Sequence, residues 1–170
     1  GELTMATRVL DGGALGIVVP HVDTPEEAKE IADKLRYPPR GHRSVGGGQA
    51  QFDYEPMPLG EMTTKSDENT LIVVMIETPK AVENAEAIAA VPGIDCLLVG
   101  SSDLSMEMGI PGDTGNPKVQ AAVDKVVAAC RKHGKWPGMG GAYTEELLKL
   151  YTDKGMKFLL ARQTEALLPA

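Results

Sequence analysis

The hydrophobic pattern is strongest at Leu71-Ile72-Val73-Val74-Met75-Ile76, six apolar residues without alternation that end abruptly in Glu77. Such a run predicts a strand covered on both faces, as in a parallel sheet. The design recurs after a helix-like stretch. Ile94-Asp95-Cys96-Leu97-Leu98-Val99-Gly100 predicts a second buried strand over 94–100, and Asp103 follows it closely. Both carboxylates then stand at the C-terminal ends of strands, the rim where barrels and open α/β sheets carry their chemistry.

The rest of the pattern repeats this unit. Leu3–Leu10 reads as the end of a helix, closed by Gly12 and Gly13, and Ala14–Val22 as a strand centred on Gly16-Ile17-Val18-Val19. Asp23-Thr24-Pro25-Glu26-Glu27 opens a helix to about Leu35: Thr24 caps it, Pro25 takes the first helical position, and Glu27 completes a capping box. Tyr37-Pro38-Pro39 must stop that helix. Thr78-Pro79 repeats the start signal for a helix to about Ala90, and Asn116-Pro117 opens one to Lys132. Trp136–Gly141 is a short strand, Thr144 to Lys154 a helix, Lys157–Ala161 the last strand, and Glu165–Leu168 the start of another helix.

Arg40–Thr70 stands apart as an irregular connection, expected to be a long loop on the active-site side. Five strand–helix units imply right-handed crossovers and an all-parallel sheet in a single domain over 1–170. A closed eight-unit barrel takes about 250 residues, so the expectation is an open sheet or a barrel without its first three units. The start at Gly1 rather than Met suggests a truncated or processed product.

Composition narrows the partners. Aromatic residues make up 4% of the chain and the formal net charge is −7, which argues against nucleic acid and anionic membranes. No apolar run approaches the roughly 20 residues of a membrane span, and the N-terminus lacks a signal pattern. Cys96 and Cys130 fall in a buried strand and a helix, so both are expected as reduced core thiols of a cytoplasmic protein.

The candidate chemistry lies at the rim. Glu77 and Asp103 suit a hard divalent cation, because two unpaired carboxylates in one pocket would otherwise repel. The alternative is that each caps the next helix or pairs with a lysine. Gly100-Ser101-Ser102-Asp103 is a tight turn with backbone donors and hydroxyls, fit for a substrate carboxylate or for an ordinary helix cap. His21 ends the first strand and can line the same rim or serve structurally. His42, beside Arg40 and Arg43, reads as an anion site or a solvated loop. Gly46-Gly47-Gly48 lacks the strand, helix and lysine of a phosphate loop.

Met75-Ile76-Glu77-Thr78, Gly93-Ile94-Asp95, Val99 to Ser105 and Met108-Gly109 together resemble the HpcH/HpaI family of metal-dependent pyruvate aldolases. Val19-Pro20-His21-Val22 and Arg36-Tyr37-Pro38-Pro39-Arg40-Gly41-His42-Arg43-Ser44 resemble it too. The resemblance implies a TIM (β/α)8 barrel, assembled as a trimer of dimers. It implies Glu77 and Asp103 as ligands of Mg²⁺ or Mn²⁺, with Co²⁺ as another candidate. It also implies Ser101, Ser102 and Asp103 as binders of a 2-oxo acid carboxylate. Asp11 matches the acid that partners a catalytic His, and His21 a rim position at which the similar macrophomate synthase carries His.

The chain also departs from the family. Nothing in it matches the catalytic His itself or the Arg that binds the keto oxygen. Met75 stands near the metal where many members have Gln, and Ala161-Arg162-Gln163-Thr164 replaces a Gly-x-Asp ending. The expected activity is cleavage of a 2-oxo-4-hydroxy acid to pyruvate and an aldehyde through a metal-stabilised enolate. The alternatives are a macrophomate-synthase-like decarboxylation with C–C bond formation, and a non-catalytic fragment. This chain alone is expected to be inactive or nearly so.

Overall fold

A computed structural model describes residues 2–160 apart from residue 48. The Ala161-Arg162-Gln163-Thr164 segment and the expected helix at Glu165–Leu168 lie outside the described residues. The chain runs α1 (Glu2–Asp11), β1 (Gly16–Val19), α2 (Pro25–Leu35), a 3-10 turn (Ala50–Phe52), α3 (Leu59–Asn69) and β2 (Leu71–Ile76). It continues with α4 (Pro79–Glu83), α5 (Ala85–Ala89), β3 (Cys96–Gly100), α6 (Ser101–Glu107), α7 (Pro117–His133), β4 (Trp136–Gly140), α8 (Glu145–Lys154) and β5 (Phe158–Leu159).

The five strands are all parallel and lie in the order in which they occur, β1-β2-β3-β4-β5. A doubly wound sheet reverses direction at a switch point; this one never does, and unreversed winding is that of a (β/α) barrel. Unreversed winding also divides the core. Ile72, Val74, Ile76, Leu97 and Val99 pack with the helices in the large apolar cluster. Val73, Cys96 and Leu98 form a smaller cluster on the other face with Leu71, Met75 and Phe158. Residues 71, 73 and 75 share that inner face because side chains alternate along a strand, and Glu77 continues the series past the end of β2.

The start signals fold as their chemistry dictates. Thr24 Oγ1 accepts from the Glu27 N–H at 3.2 Å while Glu27 Oε2 accepts from the Thr24 N–H at 3.0 Å, and Pro25 opens α2. Gly134 closes α7 and Gly155 closes α8, both left-handed. Strand β1 is shorter than the expected 14–22. Pro20 has no N–H for a ladder, and His21 turns out of the strand at φ 52°. The helix after β2 breaks into α4 and α5 at Asn84, whose ψ of 1° leaves the helical range.

Residues 40–70 differ most from expectation. They run from the end of α2 to the start of β2, so they lie at the N-terminal end of the sheet, opposite the rim that holds Glu77. They also contain helix α3. Arg36, fully buried, anchors this end. Its guanidinium donates to Gly93 O at 3.0 Å, to Asp67 O at 2.7 Å and to Thr70 O at 3.0 Å, and it pairs with Asp95. One side chain thereby ties together the approaches to β2 and β3. Among the described residues, no helix is long and apolar enough to cross a membrane.

Candidate functional site

Three consecutive strand ends bring their residues together. Glu77 follows β2 and is 2% exposed. Its Oε2 accepts the His21 backbone N–H at 3.0 Å, and His21 Nδ1 stands 3.4 Å from the same oxygen. The left-handed turn at His21 (φ 52°) is uncommon for a residue with a side chain. Here it aims the N–H at Glu77. The His21 imidazole is 69% exposed.

Asp103, in the first turn of α6, faces Glu77 from the next strand, within reach of hydrogen bonding to it. The Glu77 carboxyl titrates above its ordinary value. Burial is the main cause and the Asp103 charge adds to it, while the His21 N–H and imidazole oppose it. A buried carboxylate beside a second one is a place that a cation stabilises.

Small residues make the room. A Cβ on Gly100 would stand 2.5 Å from Glu77 Oε1 and 2.7 Å from its Cγ, so the carboxylate lies across a bare backbone. Gly141 (φ 89°) likewise leaves space for the Ser101 and Ser102 hydroxyls. Ser101 Oγ donates to Gly140 O at 2.7 Å, joining the rim of β3 to that of β4. The Ser101 hydroxyl is therefore engaged in structure. Ser102 and Asp103 are exposed, and Gly100, as the cap of α6, offers no side-chain acceptor to the first-turn amides. Met75 sits half-buried on the inner face below Glu77.

The structure does not bring Asp11 to this rim. Asp11 ends α1, before β1 begins, and accepts from Arg43 Nη2 at 2.7 Å at the opposite end of the sheet. His42 pairs with Asp33 there, and Arg43 stacks over the Tyr37 ring at 4.6 Å. Three roles escaped the sequence reading. Gly100, read only as part of a tight turn, and Gly141 make room for neighbours across strands, and Asp23, read as part of a helix start, accepts from Thr78 Oγ1 at 2.6 Å.

The donor set fits a hard divalent cation. It offers carboxylate oxygens from two adjacent strands, one of them anchored through its other oxygen, in a mostly open mouth. Mg²⁺ commonly takes one or two carboxylates and fills its remaining positions with water and substrate oxygens. Among the described residues, no group of three or more His, Cys, Asp or Glu is arranged to hold a metal, so Glu77 and Asp103 form a pair rather than a closed protein cage.

Unreversed β/α winding with a carboxylate pair on the C-terminal rim defines a barrel-type α/β protein. The chain belongs to the HpcH/HpaI aldolase/citrate lyase family, whose pattern matches residues 2–136. It is 41% identical over 164 residues to a 4-hydroxy-4-methyl-2-oxoglutarate aldolase of Hapsidospora irregularis, covering 95% of this chain and 61% of that protein. It is 39% identical over 175 residues to a 4-hydroxy-2-oxovalerate aldolase of Rhodococcus jostii, covering 98% and 66%. A crystal structure of an HpcH/HpaI aldolase from Desulfitobacterium hafniense matches with a TM-score of 0.87 at 32% identity, over 97% of this chain and 64% of that one. Macrophomate synthase matches at 0.76 and 28% identity, over 97% and 58%. The chain thus spans about three fifths to two thirds of the length of these relatives.

Proposed function

We propose that this chain carries the cation- and 2-oxo-acid-binding rim of a carbon–carbon lyase that cleaves a 2-oxo-4-hydroxy acid to pyruvate and an aldehyde. The observation that carries this reading is the Glu77–Asp103 pair. Two carboxylates meet across adjacent strand ends, and one is buried and held by the His21 N–H. Aldolase names among the relatives support the reaction class.

Glu77 and Asp103 would hold Mg²⁺, Mn²⁺ or Co²⁺. When bound, the cation supplies Lewis-acid polarisation of the 2-oxo group. The chain's own residues bind and orient the substrate. The uncapped first turn of α6 receives the substrate carboxylate through backbone N–H groups, with the exposed Ser102 hydroxyl beside it. Met75 and Glu77 close the floor and one wall. In the cleavage the 4-hydroxyl loses its proton, the C3–C4 bond breaks, and its electron pair passes toward the 2-oxo carbonyl. C3 is then protonated to give the pyruvate methyl group. His21, exposed at the mouth, is the ionisable group placed to exchange a proton there.

The physiological partners proposed are a small 2-oxo acid and further copies of this chain. Among the described residues, β1 pairs only with β2 and β5 only with β4, and an exposed parallel edge invites pairing.

Titration calorimetry with Mn²⁺, followed by NMR of deuterium entry into pyruvate, tests the reading. Wild-type protein binds Mn²⁺ and exchanges the methyl protons slowly, whereas Glu77→Gln and Asp103→Asn bind at least ~10-fold more weakly and do not exchange. Equal Mn²⁺ affinity in all three would overturn it.

A further inference from the structure

We infer that Asp23 is a positioning residue for the rim: it locks the loop after β1 to the loop after β2, and so holds the His21 N–H on Glu77. This rests on reading Glu77 as a cation ligand and adds to it the device that keeps the ligand aimed.

Asp23 lies two residues beyond His21, and Thr78 one beyond Glu77. The Thr78 hydroxyl works in both directions. It accepts from the Ala81 N–H at 3.0 Å, capping α4, and donates to Asp23 Oδ1 at 2.6 Å. Asn84 Nδ2 donates to the Asp23 main-chain oxygen at 2.7 Å from the break between α4 and α5. The Asp23 N–H is held in turn by Glu27 Oε2 at 2.8 Å. Asp23 thus meets α2 through its amide and the α4–α5 segment through its carbonyl and its carboxylate.

The lock is needed because the turn between β1 and α2 is strained. His21 holds φ 52°, and a non-glycine residue stays in that region only when its surroundings over-determine it. Three contacts across to β2 and its loop do so: His21 N–H to Glu77 Oε2, Val22 N–H to Met75 O at 3.2 Å, and the Asp23–Thr78 bond. Without the last, the turn can relax toward ordinary φ, and Glu77 Oε2 loses its donor. The carboxylate is then free to rotate, although Gly100 still gives it room. The break between α4 and α5 at Asn84 belongs to the same lock. A helix uninterrupted from Pro79 to Ala89 would not present the Asn84 amide to Asp23 at the same place.

The test uses the whole 170-residue chain and four variants: Asp23→Ala, Asp23→Asn, Thr78→Ser and Asn84→Ala. Two quantities are read: Mn²⁺ affinity by calorimetry, and hydrogen exchange of the His21 amide by NMR without metal. Asp23→Ala is expected to weaken Mn²⁺ binding ~10-fold and to speed His21 exchange at least ~10-fold, while amides of α7 keep their protection. Asp23→Asn and Thr78→Ser keep the hydrogen bond and stay near wild type. Asn84→Ala, whose lost side chain makes no capping hydrogen bond, shows a smaller effect of the same sign. If Asp23→Ala proves unfolded, Asn84→Ala decides. Unchanged His21 exchange in folded Asp23→Ala, or in Asn84→Ala where Asp23→Ala is unfolded, overturns the inference, as does a loss of protection that spreads equally to α7. If wild-type protein takes up no Mn²⁺ but His21 exchange responds as stated, the positioning role stands and the cation reading fails.

Discussion

Gly100 and Glu77 occupy one space: the β-carbon that any other residue would bring to position 100 stands 2.5 Å from Glu77 Oε1. The backbone does not ask for glycine here, since φ is −84°. The demand comes from the carboxylate across the strand pair. Gly100→Ala is therefore expected to push Glu77 aside and to weaken Mn²⁺ binding at least ~10-fold. Overpacking should cost about 1–3 kcal/mol of stability. Calorimetry and thermal melting check both effects, and an alanine variant with wild-type affinity would show that Glu77 is not aimed by this contact.

Strands β2 and β3 could be read directly, because a strand covered on both faces leaves an unbroken apolar run and the rim carboxylates interrupt it. Helix α3 could not. Its buried positions Met62, Ser66 and Asp67 have helical spacing, but two of them are polar. They face a polar region, where Asp67 accepts the Tyr37 N–H and its carbonyl accepts from Arg36. No apolar periodicity survives to mark it. Asp23 and Thr78 read correctly as helix starts, yet their bond to each other joins positions 55 residues apart, and no local pattern encodes that. The resemblance matched Asp11 to the acid that partners a catalytic His absent from this chain; the chain puts Asp11 at the end of a helix before β1, where it accepts from Arg43.

Glu77→Gln separates the cost of the buried charge from its use. The Glu77 carboxyl is raised above its ordinary value, chiefly by burial. A raised acid contributes stability that is fully present below the unfolded pKa, near 4.3, and is lost as pH rises through the folded value. Without cation, the Gln variant is therefore expected to melt higher than wild type at pH 7 and equal to it near pH 4. Saturating Mn²⁺ should reverse the order at pH 7, because only wild type gains the binding energy. Melting curves at the two pH values, with and without Mn²⁺, decide it.

Arg36→Ala should be among the most damaging substitutions remote from the rim. The side chain is fully buried and satisfies three carbonyls besides pairing with Asp95. Removing one partner of a buried pair typically costs about 3–5 kcal/mol. The loss is expected in urea unfolding. Should the variant keep wild-type stability, the polar knot would be ornamental and the N-terminal end of the sheet would be held by packing alone.

The two thiols should be silent. Cys96 and Cys130 are buried, and burial pushes each to about 12. Reactivity follows the thiolate, so neither is expected to react with a disulfide reagent at pH 8 in the folded chain, and both should react in denaturant. Rapid titration without denaturant would contradict the packing of α7 on the sheet for Cys130, and the closure of the opposite face for Cys96.

Tyr151 sets a limit on the alkaline side. It is fully buried in the apolar core, its hydroxyl donates to Thr114 O, and burial raises its pKa from 10.0 to about 12. The sign follows from linkage: the contribution is complete below pH 10, where both states keep the proton, and is lost as pH rises toward 12 because only the unfolded chain releases it. Tyr151 is therefore expected to ionise together with unfolding, not before it, when absorbance near 295 nm and helical circular dichroism are followed in one titration. Tyr151→Phe should cost about 1 kcal/mol at pH 7 through the lost hydrogen bond. By pH 11.5 that deficit should have narrowed, because the phenylalanine has no proton to release. Ionisation of Tyr151 in a chain that keeps its helical signal would mean that its hydroxyl reaches solvent, and that α8 packs less closely on the α6–α7 loop than the Thr114 contact requires.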